Sequence, residues 1–344
     1  MSTSADPLEA EMVMAGERSP AAMASELAAF IDGATRALDV AIYDFEADRG
    51  SPTAVAQALQ RAVARGVEVR VAFNLERVHR ASAPRPPRSE PEAIDGLAVP
   101  TRPVRGQGTL MHHKYVVRDG ETVWTGSMNW TDDAFGLEEN IILRIHAPRV
   151  AAAFERDFRQ LWAKGSVERS GGAGTASRVG GSLVRPYFSP KGPALSQLAA
   201  AVIATARRRI RVLSPVITAG AVLGTLAEFA GRAAFDLAGA YDWTQMEEVQ
   251  AQWRAVPANH WKIAAWHVIS PRLSGKHSTP YGPGSPHDYM HAKAVVADDE
   301  VVAGSYNLSR HGDGNAENVL HIRSAEHAHR IGVFAERVAE RYRA

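Results

Sequence analysis

The stretch Met111-His112-His113-Lys114-Tyr115-Val116-Val117-Arg118-Asp119, closed by Gly126-Ser127-Met128-Asn129 and Glu139-Asn140, is written a second time. The second copy reads Met290-His291-Ala292-Lys293-Ala294-Val295-Val296-Ala297-Asp298, closed by Gly304-Ser305-Tyr306-Asn307 and Glu317-Asn318. His, Lys and Asp return at an offset of 179 residues; after a one-residue deletion, Gly, Ser, Asn, Glu and Asn return at 178. Eight polar or special residues kept in order twice mark an internal duplication. The run after each His-x-Lys is strand-like, and in a strand the side chains at i and i+2 share a face. His112 is therefore expected beside Lys114, His291 beside Lys293, Ser127 beside Asn129 and Ser305 beside Asn307. The glycine before each Ser-x-Asn is expected to let backbone approach a ligand closely.

Outward from the two copies, the same order of elements recurs. Met23, Leu27, Phe30 and Ile31 fall at helical spacing over 21–37, with Ser19 as N-cap. Residues 38–43 read as a strand, 53–65 as an amphipathic helix stopped by Gly66, 67–73 as a strand and 148–162 as a helix. In the second half, helices are expected over 194–206, 221–229 and 326–342, and strands over 210–213 and 234–240. A long insertion at 243–290 carries Trp243, Trp253, Trp261 and Trp266. Residues 1–18 are expected to be a poorly ordered lead-in. The Gly/Ser-rich run 164–183 reads as a linker between a first unit at 19–163 and a second at 184–344. Alternating helices and strands imply α/β sheets covered by helices, built twice.

A chain of 344 residues is long enough for two domains with their own cores, and 45% apolar with 22% charged residues is ordinary for a folded protein. The net charge of +1 supplies no global basic field, so contact with a polyanion must come from a local patch. Without cysteine there is no disulfide, thiolate zinc site or cysteine nucleophile. The N-terminus has no basic start or apolar core, so no secretory signal is expected. The most apolar stretch, 212–227, is interrupted by Ser214-Pro215 and Gly220, where a spanning helix needs about 20 apolar residues. A soluble, cytoplasmic protein is expected.

Each half offers an imidazole, an ammonium, a hydroxyl and a carboxamide. Brought together, Lys114, Lys293, Ser127, Ser305, Asn129 and Asn307 would cradle a phosphate and its developing charge. Two histidines would divide the work: one attacks phosphorus while the other protonates the leaving oxygen and later activates water. Each needs a partner on its second ring nitrogen, and Glu139 and Glu317 are the candidates. The lysines supply positive charge, so neither metal nor other cofactor is expected.

The doubled His-x-Lys-x4-Asp and Gly-Ser-x-Asn pattern resembles the phospholipase D superfamily over nearly the whole chain. The resemblance implies an α/β fold of two similar α/β/α units packed about a pseudo-twofold axis, with one shared site for metal-independent phosphodiester chemistry. It assigns the nucleophile to His112, the acid/base to His291 and supporting roles to Asp119 and Asp298. The wording around His112, Asn129 and Glu139 is similar to the small nuclease branch, which also holds cardiolipin-hydrolase-like proteins. The expected substrate is nucleic acid; the alternative is a phospholipid headgroup, by hydrolysis or transfer, and a third reading is a non-catalytic nucleic-acid-binding protein. With both halves in one chain, a monomer is expected.

Other features are read more plainly. His113 is expected to be packed or exposed rather than a metal ligand. The Arg/Pro-rich loop at 77–105 is either a nucleic-acid contact or a solvated loop. Arg207-Arg208-Arg209 reads as a solvated helix end. The tryptophans of 243–266 are expected in the core, with base stacking or a lipid-facing pocket as alternatives. His277 and His287 are expected at the surface, with the mouth of the site as the alternative.

Overall fold

The computed structural model describes residues 7–75, 91–282 and 284–343. The chain opens with β1 (Leu8–Val13), α1 (Pro20–Asp32), β2 (Ala37–Ile42), α2 (Thr53–Ala64) and β3 (Glu68–Asn74). It continues through α3 (Pro91–Asp95), β4 (Thr101–Val104), β5 (Lys114–Arg118), β6 (Thr122–Gly126), α4 (Asp132–Gly136), β7 (Asn140–His146) and α5 (Pro148–Lys164). Next come β8 (Gly172–Ala173), β9 (Ser177–Val179), β10 (Ser182–Phe188), α6 (Leu195–Ala204), β11 (Arg209–Ser214), α7 (Gly220–Ala230) and β12 (Asp236–Asp242). The chain closes with α8 (Trp243–Arg254), α9 (His260–Ile269), β13 (Ser274–Lys276), β14 (Ala294–Ala297), β15 (Glu300–Gly304), β16 (Asn318–Arg323) and α10 (Ala325–Arg341).

The strands form two mixed sheets. The first runs β1-β7-β6-β5-β2-β3-β4. The second repeats that order as β10-β16-β15-β14-β11-β12-β13, extended by β8 and β9 on β10. The duplication read from the motifs thus extends to every strand of the first sheet. Helices α1 and α2 cover the outer face of the first sheet through Met23, Leu27, Val55 and Leu59. Helices α6 and α7 do the same for the second through Leu195, Ile203, Leu223 and Leu226. Between the sheets, Phe154 and Phe158 of α5 and Ile331 and Phe334 of α10 share one core with strands of both units. Apolar burial between the sheets holds the two halves of the site together.

Two expectations about the chain's joints need correction. Residues 8–13 of the supposed lead-in are the edge strand β1, with Leu8 opposite Ile145 and Val13 opposite Asn140. Its alternation of Leu8, Ala10 and Met12 with Glu9 and Glu11 was hidden by charge, and Arg144 answers that charge from the neighbouring strand at 3.0 and 3.4 Å. The glycine-rich run 164–183 carries β8 and β9, hydrogen-bonded to β10. At Gly171, with φ +106°, a Cβ would stand 2.9 Å from the Phe188 carbonyl oxygen, so this glycine serves close packing rather than slack.

Candidate active site

The motif histidines sit immediately before β5 and β14, which are central strands of their sheets. The ends of these strands meet across the interface. Met111 bridges Ala316; the His112 amide donates to the Ala316 carbonyl at 2.9 Å, and the Ala316 amide to the Leu110 carbonyl at 2.8 Å. On the other flank, Lys276 Nζ donates to the Leu137 carbonyl at 3.0 Å and the His287 amide to Asp133 Oδ2 at 2.8 Å. Each lysine folds back on its own histidine: Lys114 Nζ donates to the His112 carbonyl at 2.7 Å, and Lys293 Nζ to the His291 carbonyl at 2.6 Å.

Each imidazole is held by the opposite unit. His112 Nδ1 lies 2.9 Å from Glu317 Oε2. His291 Nδ1 lies 3.1 Å from Glu138 Oε2 and 3.2 Å from Asn140 Oδ1. These contacts occupy Nδ1 of both rings and leave Nε2 for chemistry. The strand register explains the unequal partners. Gly126 faces Ile142, whereas Gly304 faces Val319. The last part of the repeat is therefore out of step with the sequence by one residue, and Asn140, not Glu139, stands where Glu317 stands. Glu139 is turned away from both histidines, and its carboxylate receives Lys276 Nζ at 2.8 Å and the Tyr342 hydroxyl at 2.6 Å.

The serines also differ from expectation. Ser127 Oγ donates to Asn140 Oδ1 at 2.7 Å and Ser305 Oγ to Glu317 Oε2 at 2.6 Å, and each accepts a backbone amide of the adjoining strand. They orient the groups that orient the histidines and are not free to bind phosphate. The glycines before them make room for the neighbouring strand: a Cβ at Gly126 would be 2.1 Å from the Ile141 carbonyl oxygen, and one at Gly304 2.1 Å from that of Asn318. Asn129 and Asn307 keep buried Oδ1 atoms without a hydrogen-bond partner among the described residues.

Asp119 and Asp298 lie behind the site in left-handed turns, at φ +57° and +51°. Asp119 accepts the backbone amides of Thr35, Arg36 and Ala37, and Asp298 those of Arg207, Arg208 and Arg209. Burial works to raise both carboxyls; the amides outweigh it and hold them below the usual range. The arginine run is thus a turn whose amides clasp Asp298.

Burial dominates the electrostatics of the centre. It pushes His112 down to about 4, with Lys114 adding to the shift and Glu317 opposing it, and holds His291 well below its ordinary value with help from Lys293 and Lys114. Lys114 is brought down to about 7 and Lys293 well below the normal lysine range, in part by mutual repulsion for the latter. Glu138 is raised to about 7 by burial, whereas Glu317, though buried, is lowered by His112, Lys114 and Ser305. The site is a buried, donor-rich centre in which charges interact more strongly than they would in water.

Several residues come to light that sequence reasoning passed over: Glu138, Lys276, Tyr43 and Asp44. The Tyr43 ring lies edge-on to the His112 imidazole with centroids 4.6 Å apart, and Lys114 Nζ is 4.7 Å from its centroid. The doubled Glu138-Glu139 was the available hint for Glu138. His113 is packed, its Nδ1 3.1 Å from Asn318 Oδ1 and its Nε2 3.0 Å from Asp157 Oδ2. His287 is buried between the rings of Tyr281 and Tyr289 rather than at the surface, while His277 is exposed and stacks on Trp243. Trp253 and Trp266 are in the core; Trp243 and Trp261 are exposed. Of the Arg/Pro loop, residues 76–90 lie outside the described residues. No group of three or more His, Asp or Glu fit to hold a metal occurs among the described residues.

Two α/β units whose His-x-Lys strands meet at one interfacial centre define the class, and the comparisons support membership of the phospholipase D superfamily. The family model "Cardiolipin synthase, PLD-like domain" matches residues 27–162. The mitochondrial cardiolipin hydrolase of Xenopus laevis is 32% identical over 130 residues, which cover 38% of this chain and 56% of that protein. That of Chlamydomonas reinhardtii is 26% identical over 135 residues, covering 39% and 54%. The chain thus spans about half the length of these curated relatives. In fold, the chain is similar to the crystal structure of phosphatidylserine synthase from Haemophilus influenzae, with a TM-score of 0.65 at 13% identity over 98% of this chain and 87% of that one.

Proposed function

We propose that the protein is a metal-independent phosphodiesterase of phospholipase D type, acting on phospholipid headgroups by hydrolysis or by transfer to an alcohol. The observation that carries this reading is the pairing of each motif histidine with acceptors of the opposite unit, which leaves two Nε2 atoms and two lysines for one phosphate. His112 Nε2, backed by Glu317, attacks phosphorus and the bond from phosphorus to the headgroup oxygen breaks. His291 delivers a proton to that oxygen. It then takes a proton from water or an acceptor alcohol, whose oxygen displaces the histidine from phosphorus. Burial and the lysines keep His291 neutral beforehand, and the negative phosphodiester raises its pKa on arrival, so substrate binding charges the acid. Lys114, Lys293, Asn129 and Asn307 meet the phosphate oxygens. The active unit is the monomer, its first unit beginning at β1 rather than at residue 19 and its second taking in β8 and β9.

The names of the matched relatives and of the family model support lipid over the nucleic-acid substrate expected from sequence. The net charge of +1 agrees, since it offers a polyanion no broad field. No helix among the described residues is long and apolar enough to cross a membrane; the relatives' mitochondrial name weighs against a plainly cytoplasmic placement. The test is release of phosphatidate from phosphatidylglycerol vesicles in EDTA, run beside labelled single-stranded and duplex oligonucleotides, with His112→Ala in parallel. Lipid turnover lost in His112→Ala is expected. Cleavage of oligonucleotides alone would overturn the lipid reading.

A further inference from the structure

A further buried acid lies between two residues that line the centre, and the second unit has no counterpart of it. Asp44 follows β2 and is 1% exposed, yet neither carboxylate oxygen has a hydrogen-bond partner among the described residues. Folded proteins seldom tolerate an unpaired buried carboxylate, because its desolvation is uncompensated. Its chain neighbours are built into the site: Tyr43 touches His112 and Lys114, and Phe45 packs edge-on against Trp130, the residue after Asn129. The Asp44 carbonyl accepts the Trp130 amide at 2.9 Å. Burial and then Glu46 raise its carboxyl, and Lys114 of the site opposes them.

Strand register shows what replaces it in the second unit. Val40 faces Val116 and Val212 faces Val295, so Asp44 corresponds to Val216. The histidines, lysines and asparagines that would hold a phosphate are all present twice. A phosphodiester in such a cradle presents two equivalent oxygens and two different alcohols, so an acid that contacts neither histidine and is present in one unit only can distinguish one alcohol from the other. An ionised carboxylate accepts hydrogen bonds and cannot donate, and beside a phosphate it is repelled unless a donor lies between them. Diacylglycerol, esterified, has no donor to offer; a headgroup can carry one.

We propose that Asp44 is the headgroup-recognition residue, its carboxylate taking a hydrogen bond from a hydroxyl or primary ammonium group on the alcohol that leaves in the first displacement or enters in its reverse. The assignment rests on the phospholipid reading above.

The experiment compares kcat/KM for dihexanoyl-phosphatidylglycerol and -phosphatidylethanolamine, whose headgroups carry donors, with that for dihexanoyl-phosphatidylcholine, whose headgroup has none. It uses the full chain, Asp44→Asn and Asp44→Val. The expected result is at least a tenfold fall, in both variants, in the ratio of each donor-bearing lipid to phosphatidylcholine. An unchanged ratio, or a loss shared equally by all three lipids, overturns the assignment and leaves the phospholipid reading standing. A wild type that cleaves bis(4-nitrophenyl) phosphate but none of the lipids overturns both. A melting temperature of Asp44→Asn at or above that of wild type at pH 8 is expected of a residue kept for a ligand; a clear fall marks a structural role and counts against the proposal.

Discussion

Replacing Glu317 by Gln removes a charge and one weak hydrogen bond. The glutamine oxygen can keep the bonds from His112 Nδ1, now at 2.9 Å, and from Ser305 Oγ, now at 2.6 Å, while its amide nitrogen takes the place of Oε1 and loses the bond that Asn315 Nδ2 donates there at 3.3 Å. The tautomer of His112 is thus preserved. What disappears is the negative charge facing an imidazole that, in the proposed mechanism, turns positive as it attacks phosphorus. With charge centres about 4 Å apart and an effective dielectric constant near 20, that interaction is worth about 4 kcal/mol. At about 1.4 kcal/mol per decade, kcat/KM should fall by about 10³. Glu138→Gln should be milder, about tenfold. With its pKa near 7, Glu138 is ionised in only about half of the molecules at neutral pH, and Asn140 Oδ1 still holds His291 Nδ1 at 3.2 Å. The assay is hydrolysis of bis(4-nitrophenyl) phosphate at pH 7, with circular dichroism to show that both variants fold. A Glu317→Gln enzyme within tenfold of wild type, or a Glu138→Gln enzyme as badly damaged as it, would refute the unequal pairing of the two histidines.

Other expectations are simpler to test. Asp119→Asn tolerates the left-handed turn but weakens the grip on the amides of residues 35–37; urea denaturation should show a loss of about 1–3 kcal/mol, with kcat/KM of the folded enzyme within a few-fold of wild type. Asp44 has its pKa raised from 3.8 to about 7. A raised carboxyl costs stability as pH climbs from the unfolded pKa through the folded one, so the advantage of Asp44→Asn should grow between pH 4.5 and pH 8 toward a ceiling of about 4 kcal/mol, read by denaturant titration at each pH; an advantage that shrinks over that window contradicts the burial. Turnover should survive millimolar EDTA, since the bound phosphate favours the charged form of the two buried lysines, which then supply the positive charge; a strict need for added magnesium would sink that part of the mechanism.

Much of this was legible in the chain because a duplicated motif constrains pairs of residues at once. The helices that flank the motifs fell within a few residues of their expected bounds, since apolar spacing and caps such as Ser19, whose Oγ accepts the Ala22 amide at 3.2 Å, are local signals. The histidines and lysines could be named because their types and spacing carry the chemistry. What stayed hidden depends on register. Aligning Glu139-Asn140 with Glu317-Asn318 is the natural reading, yet the ladders of β6 with β7 and β15 with β16 differ by one residue, which moves Glu139 out to Lys276. A slip of one place sends a strand side chain to the opposite face, and no pattern of residue types in these strands announces it. β1 was missed for a related reason: its charged face is paired by Arg144, a partner more than a hundred residues away.

The slip has a consequence for how a duplicated enzyme becomes directional. Two identical halves would give two equivalent histidines, and nothing would decide which attacks and which protonates. Here the carboxylate behind His112 is lowered and kept ionised, while that behind His291 hovers near neutrality and shares its histidine with an amide. In the proposed mechanism the ionised partner favours the histidine that must become positive by bonding to phosphorus. In the same reading, the softer partner leaves the charging of His291 to the bound phosphodiester, so that this histidine can both give and take a proton as the reaction proceeds. His113 and Asn318 deepen the asymmetry, since Ala292 and Ile141 stand at the matching places of the other half. Asn140→Glu would restore symmetry at this place; beside Glu138, whose Oε2 now takes the Asn140 amide at 3.3 Å, the two carboxyls would share one proton and so hold one firm negative charge behind His291, which raises its pKa. Protonation of the leaving group would then be retained while removal of the water proton slowed, so the phosphohistidine should accumulate. Acid-quench trapping of labelled enzyme reads this directly: more label on His112 in the variant than in wild type is expected, and equal labelling would mean that the two halves do not owe their division of labour to these partners.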